Sequence, residues 1–256
     1  MFWATIGLWL VCSSASWAGF ATTISLAPVR DNTIFSDSTA ITDLSNGSGD
    51  FLFAGNTAAG TNFTRRALLS FDLSGIPPDA LVSDVSLRIR ATREAPGRTE
   101  DANYYLHRML SDWGEGTSDA DGEEGRGAGA QTGDATWRHT FYSNSFWSVP
   151  GGDFNPEPSS VQFMDSLGAY VFTGAGLIDD AQFFLQNPSL NFGWMLRGDE
   201  SRIFTARQFG GRNDSDIGPV LDITYSVIPE PDIVGLLMFG SFGLWLRSLW
   251  YRRAGV

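Results

Sequence analysis

Residues 65–73 read R-R-A-L-L-S-F-D-L, and residues 85–92 read V-S-L-R-I-R-A-T. In the first stretch Ala67, Leu69, Phe71 and Leu73 point one way, and Leu68, Ser70 and Asp72 the other. In the second, Val85, Leu87, Ile89 and Ala91 alternate with Ser86, Arg88, Arg90 and Thr92. A period of two puts alternate side chains on opposite faces of a strand, so each stretch has one face suited to a core. Gly75 to Asp79, G-I-P-P-D, makes a turn between them, because proline cannot donate to a strand ladder.

The same pattern extends in both directions. Shorter strands are predicted at 22–27, 32–35 and 51–54, with polar loops at 37–49 and 56–62. Others follow at 104–110, 191–197, 202–209 and 219–227. One segment changes period. Leu177, Ile178, Ala181, Phe184 and Leu185 form a helical stripe over 177–186, with Asp179 and Asp180 in its first turn and Pro188 ending it. About nine strands with one helix predict a mainly β fold, a two-sheet jelly-roll-like β-sandwich with one short helix. A barrel with an internal cavity is the alternative.

The 256 residues include no lysine, 17 Arg and 29 acidic residues. Residues 19–227 hold 14 Arg and 27 acids, a net charge near −13. That balance argues against nucleic-acid binding and against adsorption to an anionic membrane. It suits a neutral sugar or a divalent cation, whereas an acidic polysaccharide would need a local arginine patch. The single cysteine, Cys12, lies in an apolar N-terminal run. Residues 1–18 end S-A-S-W-A, with Ser16 and Ala18 placed for signal-peptidase cleavage before Gly19. The expected exported body, 19–226, then has no thiol, disulfide or cysteine-bound metal.

The chain closes with V-I-P-E-P-D-I-V-G-L-L-M-F-G-S-F-G-L-W-L-R-S-L-W-Y-R-R-A-G-V, residues 227–256. An apolar helix over about 233–251 spans ~28 Å if Arg247 snorkels, near the ~30 Å hydrocarbon core. Pro229, Glu230 and Pro231, the apolar helix, then Arg247, Arg252 and Arg253 resemble the PEP-CTERM sorting signal of Gram-negative bacteria. The resemblance implies an exosortase-type membrane protease as a partner. It also implies a transient inner-membrane anchor, then release to the cell surface or extracellular matrix.

The body resembles the DNRLRE domain, a disaggregatase-related β-sandwich also grouped with carbohydrate-binding modules. The pieces are R-R-A-L-L-S-F-D-L-S-G-I-P (65–77), D-A-L-V-S-D-V-S-L-R-I (79–89), L-H-R-M-L-S-D-W-G-E-G-T (106–117), N-F-G-W-M-L-R-G-D-E (191–200) and P-V-L-D-I-T-Y (219–225). The resemblance implies binding to extracellular polysaccharide.

Between the strands, residues 111–160 form a long irregular loop rich in aromatic, acidic and glycine residues. A loop of that length is either functional or an insertion, and its aromatic content argues against disorder. Sugars present apolar C–H faces rimmed with hydroxyls, which suit flat rings beside polar forks. Trp113, Trp137, Tyr142 and Trp147, with Arg138 and Asp153, are the candidate glycan platform. The other reading is that these rings roof one end of the core. Asp119, Asp121 and Glu124 resemble part of a calcium loop and are candidate Ca²⁺ ligands, although the full spacing is missing. No G-x-S-x-G elbow is present, and His107 and His139 stand far apart in sequence. A His139–Tyr142–Arg138 lyase site or a carboxylate pair for hydrolysis are the enzymatic alternatives. The expected function is a non-catalytic matrix or surface protein that binds or organises polysaccharide. A structural surface protein without a glycan ligand is the other non-enzymatic possibility.

Overall fold

The alternating stretch at 85–92 is the middle of a fourteen-residue strand, Leu81–Glu94. Its alternation becomes legible only from Val85 because Ser83 is a bulge: Asp84 pairs with Thr224, and Val82 already pairs with Tyr225. The extra residue breaks the period of two, so Val82 and Val85 are both buried although three positions apart. A computed structural model describes residues 21–36, 43–60, 62–94, 100–122, 124–214 and 216–227. The expected leader at 1–18 lies outside the described residues. So do Pro229, Glu230, Pro231, Arg247, Arg252 and Arg253, and the expected membrane helix at 233–251.

Among the described residues the chain forms fifteen strands and one α-helix. In order they are β1 (Ala21–Leu26), β2 (Arg30–Phe35), β3 (Leu44–Ser45), β4 (Phe51–Asn56), β5 (Thr64–Ser70), β6 (Leu81–Glu94), β7 (Ala102–Arg108) and β8 (Ala128–Gly129). Then come β9 (His139–Phe141), β10 (Ser145–Phe146), β11 (Ser160–Met164), β12 (Gly168–Thr173), α1 (Ala175–Gln186), β13 (Trp194–Arg197), β14 (Arg207–Gly210) and β15 (Val220–Ser226). Eleven strands make one large, curled antiparallel sheet in the order β1-β15-β6-β14-β4-β5-β13-β7-β11, with β12 also on β6 and β2 also on β5. Two small sheets, β9–β10 and β3–β8, lie outside it.

Strand β4 joins the two halves of the sheet. Residues 51–54 pair with β14, then Gly55 and Asn56 pair with β5. Gly55 turns the chain there at φ 110, and a Cβ at that position would lie 2.4 Å from the Thr205 carbonyl oxygen. Only glycine meets both demands.

The concave side of the curl holds the main core. Leu69, Phe71, Trp194 and Leu106 come from one half, and Leu87, Ile89, Leu221 and Phe209 from the other. Helix α1 adds Leu177, Ala181 and Phe184 to the same core. It begins at Ala175, two residues earlier than the apolar stripe predicts, so Asp179 and Asp180 fall beyond its first turn. Asp180 turns inward instead. It accepts from Trp194 Nε1 at 2.9 Å and from Ser159, and pairs with Arg108 at 3.2 Å. Strands β11 and β12 lie in a stretch for which the sequence pattern predicts none.

Candidate functional site

The long loop is built onto the sheet. All seven residues of β5 are buried, so its second face is covered as well as its first. Leu68 from that face packs with Ile34, Met195 and Met109, and over them lie Trp113, Trp147 and Ala135 from the loop. Each indole hides ~150–250 Å², about 4–6 kcal/mol of gross transfer free energy.

Polar side chains of β2, and Asp134 of the loop itself, fix the loop in place. Arg30 donates to the Trp113 carbonyl at 2.6 Å and to Asp112 at 3.0 Å, and its guanidinium lies 4.8 Å over the Trp113 ring. Asn32 donates to the Glu115 carbonyl at 2.9 Å. Asp134 accepts from the backbone amides of Thr117, Ser118 and Gln131. These bonds satisfy backbone groups that a buried loop would otherwise leave unpaired.

This corrects the expected platform. Trp113 is fully buried and its Nε1 donates to the Phe192 carbonyl; Trp147 is buried and donates to the Thr136 carbonyl. Neither ring offers a face to a ligand. Trp137 is half-buried with Arg66 stacked 4.6 Å over it. Asp153 accepts from Ser111 and from the amides of Ser148 and Val149, which closes a turn. Arg138 is exposed and paired with Asp43. Tyr142 is half-buried edge-to-face with the buried His139 at 5.1 Å, and His139 Nδ1 lies 3.0 Å from Thr136 Oγ1. Arg138, His139 and Tyr142 thus stand together, with the imidazole covered by Tyr142 and Phe146.

The candidate calcium set does not converge. Asp119 and Asp121 are exposed, whereas Glu124 is buried and accepts from Asn46 Nδ2 at 2.8 Å and from the Asp50 and Phe51 amides. Among the described residues no group of three or more potential ligands gathers in a metal-holding arrangement.

A concavity lies beside the loop, on the convex face of the sheet. It is an open cleft of about 330 Å³ lined by Tyr105, His107, Pro156, Pro158, Arg197 and residues 198–201. The strand register explains its composition: Arg197 of β13 stands between Arg66 of β5 and Tyr105 of β7, and Met195 between Leu68 and His107. Opposite residues in neighbouring strands share a face. Tyr105 also pairs with Val161, and Asn103 with Phe163, on edge strand β11. Val161 is 49% exposed and Phe163 53%, so an apolar surface continues outward from the half-buried Tyr105.

Glu200 organises the floor of this cleft. Arg66 donates to both its oxygens at 2.7 Å, and Arg197 donates at 3.2 and 2.7 Å. Burial alone would raise the Glu200 pKa, but the bonds from Arg66 and Arg197 outweigh it and hold the carboxyl below its ordinary value. Arg66 also donates to the Gly151 carbonyl, and a Cβ on Gly151 would come 2.5 Å from Arg66 Nη1. Asp199 accepts from Ser201 and from Arg202 Nε at 2.9 Å. His107 Nδ1 donates to the Asn155 carbonyl at 2.9 Å, which leaves Nε2 as an acceptor. Burial lowers the His107 pKa against the pull of that carbonyl, and Arg197 and Arg66 push the same way, so the ring is neutral near pH 7. The cleft therefore offers an aromatic ring, two proline walls, a neutral imidazole and fixed carboxylates. It can hold a polar, ring-shaped molecule by packing and hydrogen bonds.

These residues are scattered through the sequence at 105–107, 156–158 and 197–201, outside the part of the loop that its aromatic content singles out. Their one local signal is the R-G-D-E run at 197–200. No protein-family model matches the chain, and no curated protein matches it.

Proposed function

We propose that this protein is an exported, non-catalytic polysaccharide-binding protein of the cell surface or extracellular matrix. We read its curled sheet as a jelly-roll-like sandwich whose halves meet at β4, in keeping with the DNRLRE resemblance. The tail at 227–256 would deliver it through an exosortase-type protease after a transient stay in the membrane. No metal is needed for this function.

The observation that supports binding is the cleft beside Tyr105, where packing surface and fixed polar groups adjoin the exposed Val161 and Phe163. Ligand sites combine apolar walls with a few placed polar groups, and ~330 Å³ lies at the small end of their range. Affinity electrophoresis of the protein through gels containing neutral or acidic polysaccharides, with and without Ca²⁺, tests the proposal. Retention on at least one gel, weakened by Tyr105→Ala, supports it; migration unchanged on every gel overturns it.

A second reading draws on the exposed apolar side chains of the β11–β12 hairpin, Val161, Phe163, Leu167 and Val171. They suit a structural surface protein that meets other proteins through this hairpin. Concentration-dependent self-association together with no retention on any gel would favour it.

A further inference from the structure

We infer that the cleft beside Tyr105 takes the terminal residue of a glycan chain, with the next residues leaving over Val161 and Phe163 on β11. The inference rests on the reading that this cleft binds glycan.

The strand register lays out a floor that runs across the strands. Arg66, Arg197, Tyr105 and Val161 stand in one row on β5, β13, β7 and β11. At ~4.8 Å between neighbouring strands the row spans about 14 Å. Walls flank it on both sides. Residues 198–201 continue past the end of β13, and Arg202 ties them to the start of β7 by donating to the Asp101 carbonyl at 2.8 Å. On the other side, Pro156 and Pro158 lie between two bonds to β7, from the Asn155 amide to the Arg108 carbonyl and from the Ser159 amide to the Leu106 carbonyl.

The two ends of the row differ. At the inner end the Phe154 ring lies 4.9 Å from the Arg197 guanidinium and 5.5 Å from that of Arg66. Trp137 stacks on Arg66 at 4.6 Å, and the Gly151 carbonyl accepts from Arg66 Nη1. The long loop thus closes this end. The outer end is open, because β11 ends the path of the large sheet and Val161 and Phe163 on it are exposed.

A chain threading the cleft would need an exit where Phe154, Trp137 and Gly151 stand. A terminal residue needs none. It has a free hydroxyl where an internal residue carries its next neighbour, and the cleft has groups to meet hydroxyls. His107 Nε2 and Asp199 accept, and Arg197 Nη1, which has no partner among the described residues, donates. The following residues then pack their C–H faces on Tyr105, Val161 and Phe163.

The test is titration calorimetry of the full chain with dextran, β-mannan, xylan and polymannuronate, each intact, cut to short chains, and as purified di- to hexasaccharides. The expected result is binding to at least one series, with binding sites per gram rising in proportion to the number of chain ends as the polymer is cut. Tyr105→Ala should abolish it. Phe163→Ser, at an exposed position, should weaken tetra- to hexasaccharides by about fivefold, the loss of one stacked face, and leave the disaccharide unchanged. Sites per gram that do not change with chain length overturn the inference while leaving glycan binding by the cleft intact. Equal losses for disaccharide and hexasaccharide in Phe163→Ser contradict it as well. No binding to any polymer or oligosaccharide overturns both readings, and binding unchanged in Tyr105→Ala removes the cleft as the site. The count of sites and the Phe163→Ser series decide the matter even if Tyr105→Ala does not fold.

Discussion

Asp31 shows how far a single carboxylate can depart from what its neighbours in sequence suggest. In the D-N-T-I-F run it reads as a strand-edge acid, yet it is buried beside Glu115 and accepts from the Arg212 amide at 2.6 Å. Burial pushes its pKa up to about 7, in spite of that amide and with the Glu115 charge adding to the rise. The folded protein therefore keeps a proton that the unfolded chain, with its ordinary value of 3.8, releases. The stabilisation from this group is complete below about pH 4 and is lost as pH rises through 7. Asp31→Asn, which mimics the protonated acid, should flatten that decline and exceed the wild type by about 1–3 kcal/mol at pH 8, with little difference at pH 4.5. Urea denaturation across that range checks it. Trp113 is a second such case. Its type and loop position suit a ligand platform, but its partners Leu68, Met195 and Ile34 come from distant strands, and no local pattern reveals them. Trp113→Ala should cost about 3–5 kcal/mol in thermal or urea unfolding. A variant as stable as the wild type would mean the ring is not packed as described.

Among the elements, most strands of the large sheet were legible, including the fully buried β5, whereas β11 and β12 were not. The run at 85–91 reads plainly because it alternates between core and solvent, whereas β11 carries Val161 and Phe163 outward and Ser160 and Met164 inward. Its periodicity points to the wrong face, so its place in the sheet follows only from pairing with β7. The acids of the long loop were likewise visible but ambiguous. Asp134 and Glu124 serve as acceptors for backbone amides, and a carboxylate in that role has the same sequence signature as one facing a cation. At the cleft, Glu200 ties β5 to β13 through Arg66 and Arg197, so Glu200→Gln should destabilise the protein by roughly 3–5 kcal/mol at pH 7. Burial opposes the Glu200 charge but its arginines prevail, so its contribution is present above about pH 4.5 and is lost as pH falls through the lowered folded value. The gap between wild type and Glu200→Gln should accordingly narrow toward pH 3 in denaturant titrations. A constant gap would show that the loss is one of packing.

At the scale of the whole molecule, the curled sheet carries two layers of packing, one inside its concave face and one beneath the long loop. The sequence made the mainly β character evident, since alternation is local. The second layer was hidden, because it depends on which strand the loop returns to. Its consequence for function is a shift of the candidate binding surface from the loop's tryptophans to the cleft formed by β7, β13 and residues 156–158 and 198–201. Hydrogen exchange of the full chain, with and without oligosaccharides cut from a polysaccharide that retains it, tests this most directly. The account predicts ligand protection at residues 103–108, 156–164 and 197–201, with the amides of 113–147 unchanged. Protection confined to 113–147 would contradict it.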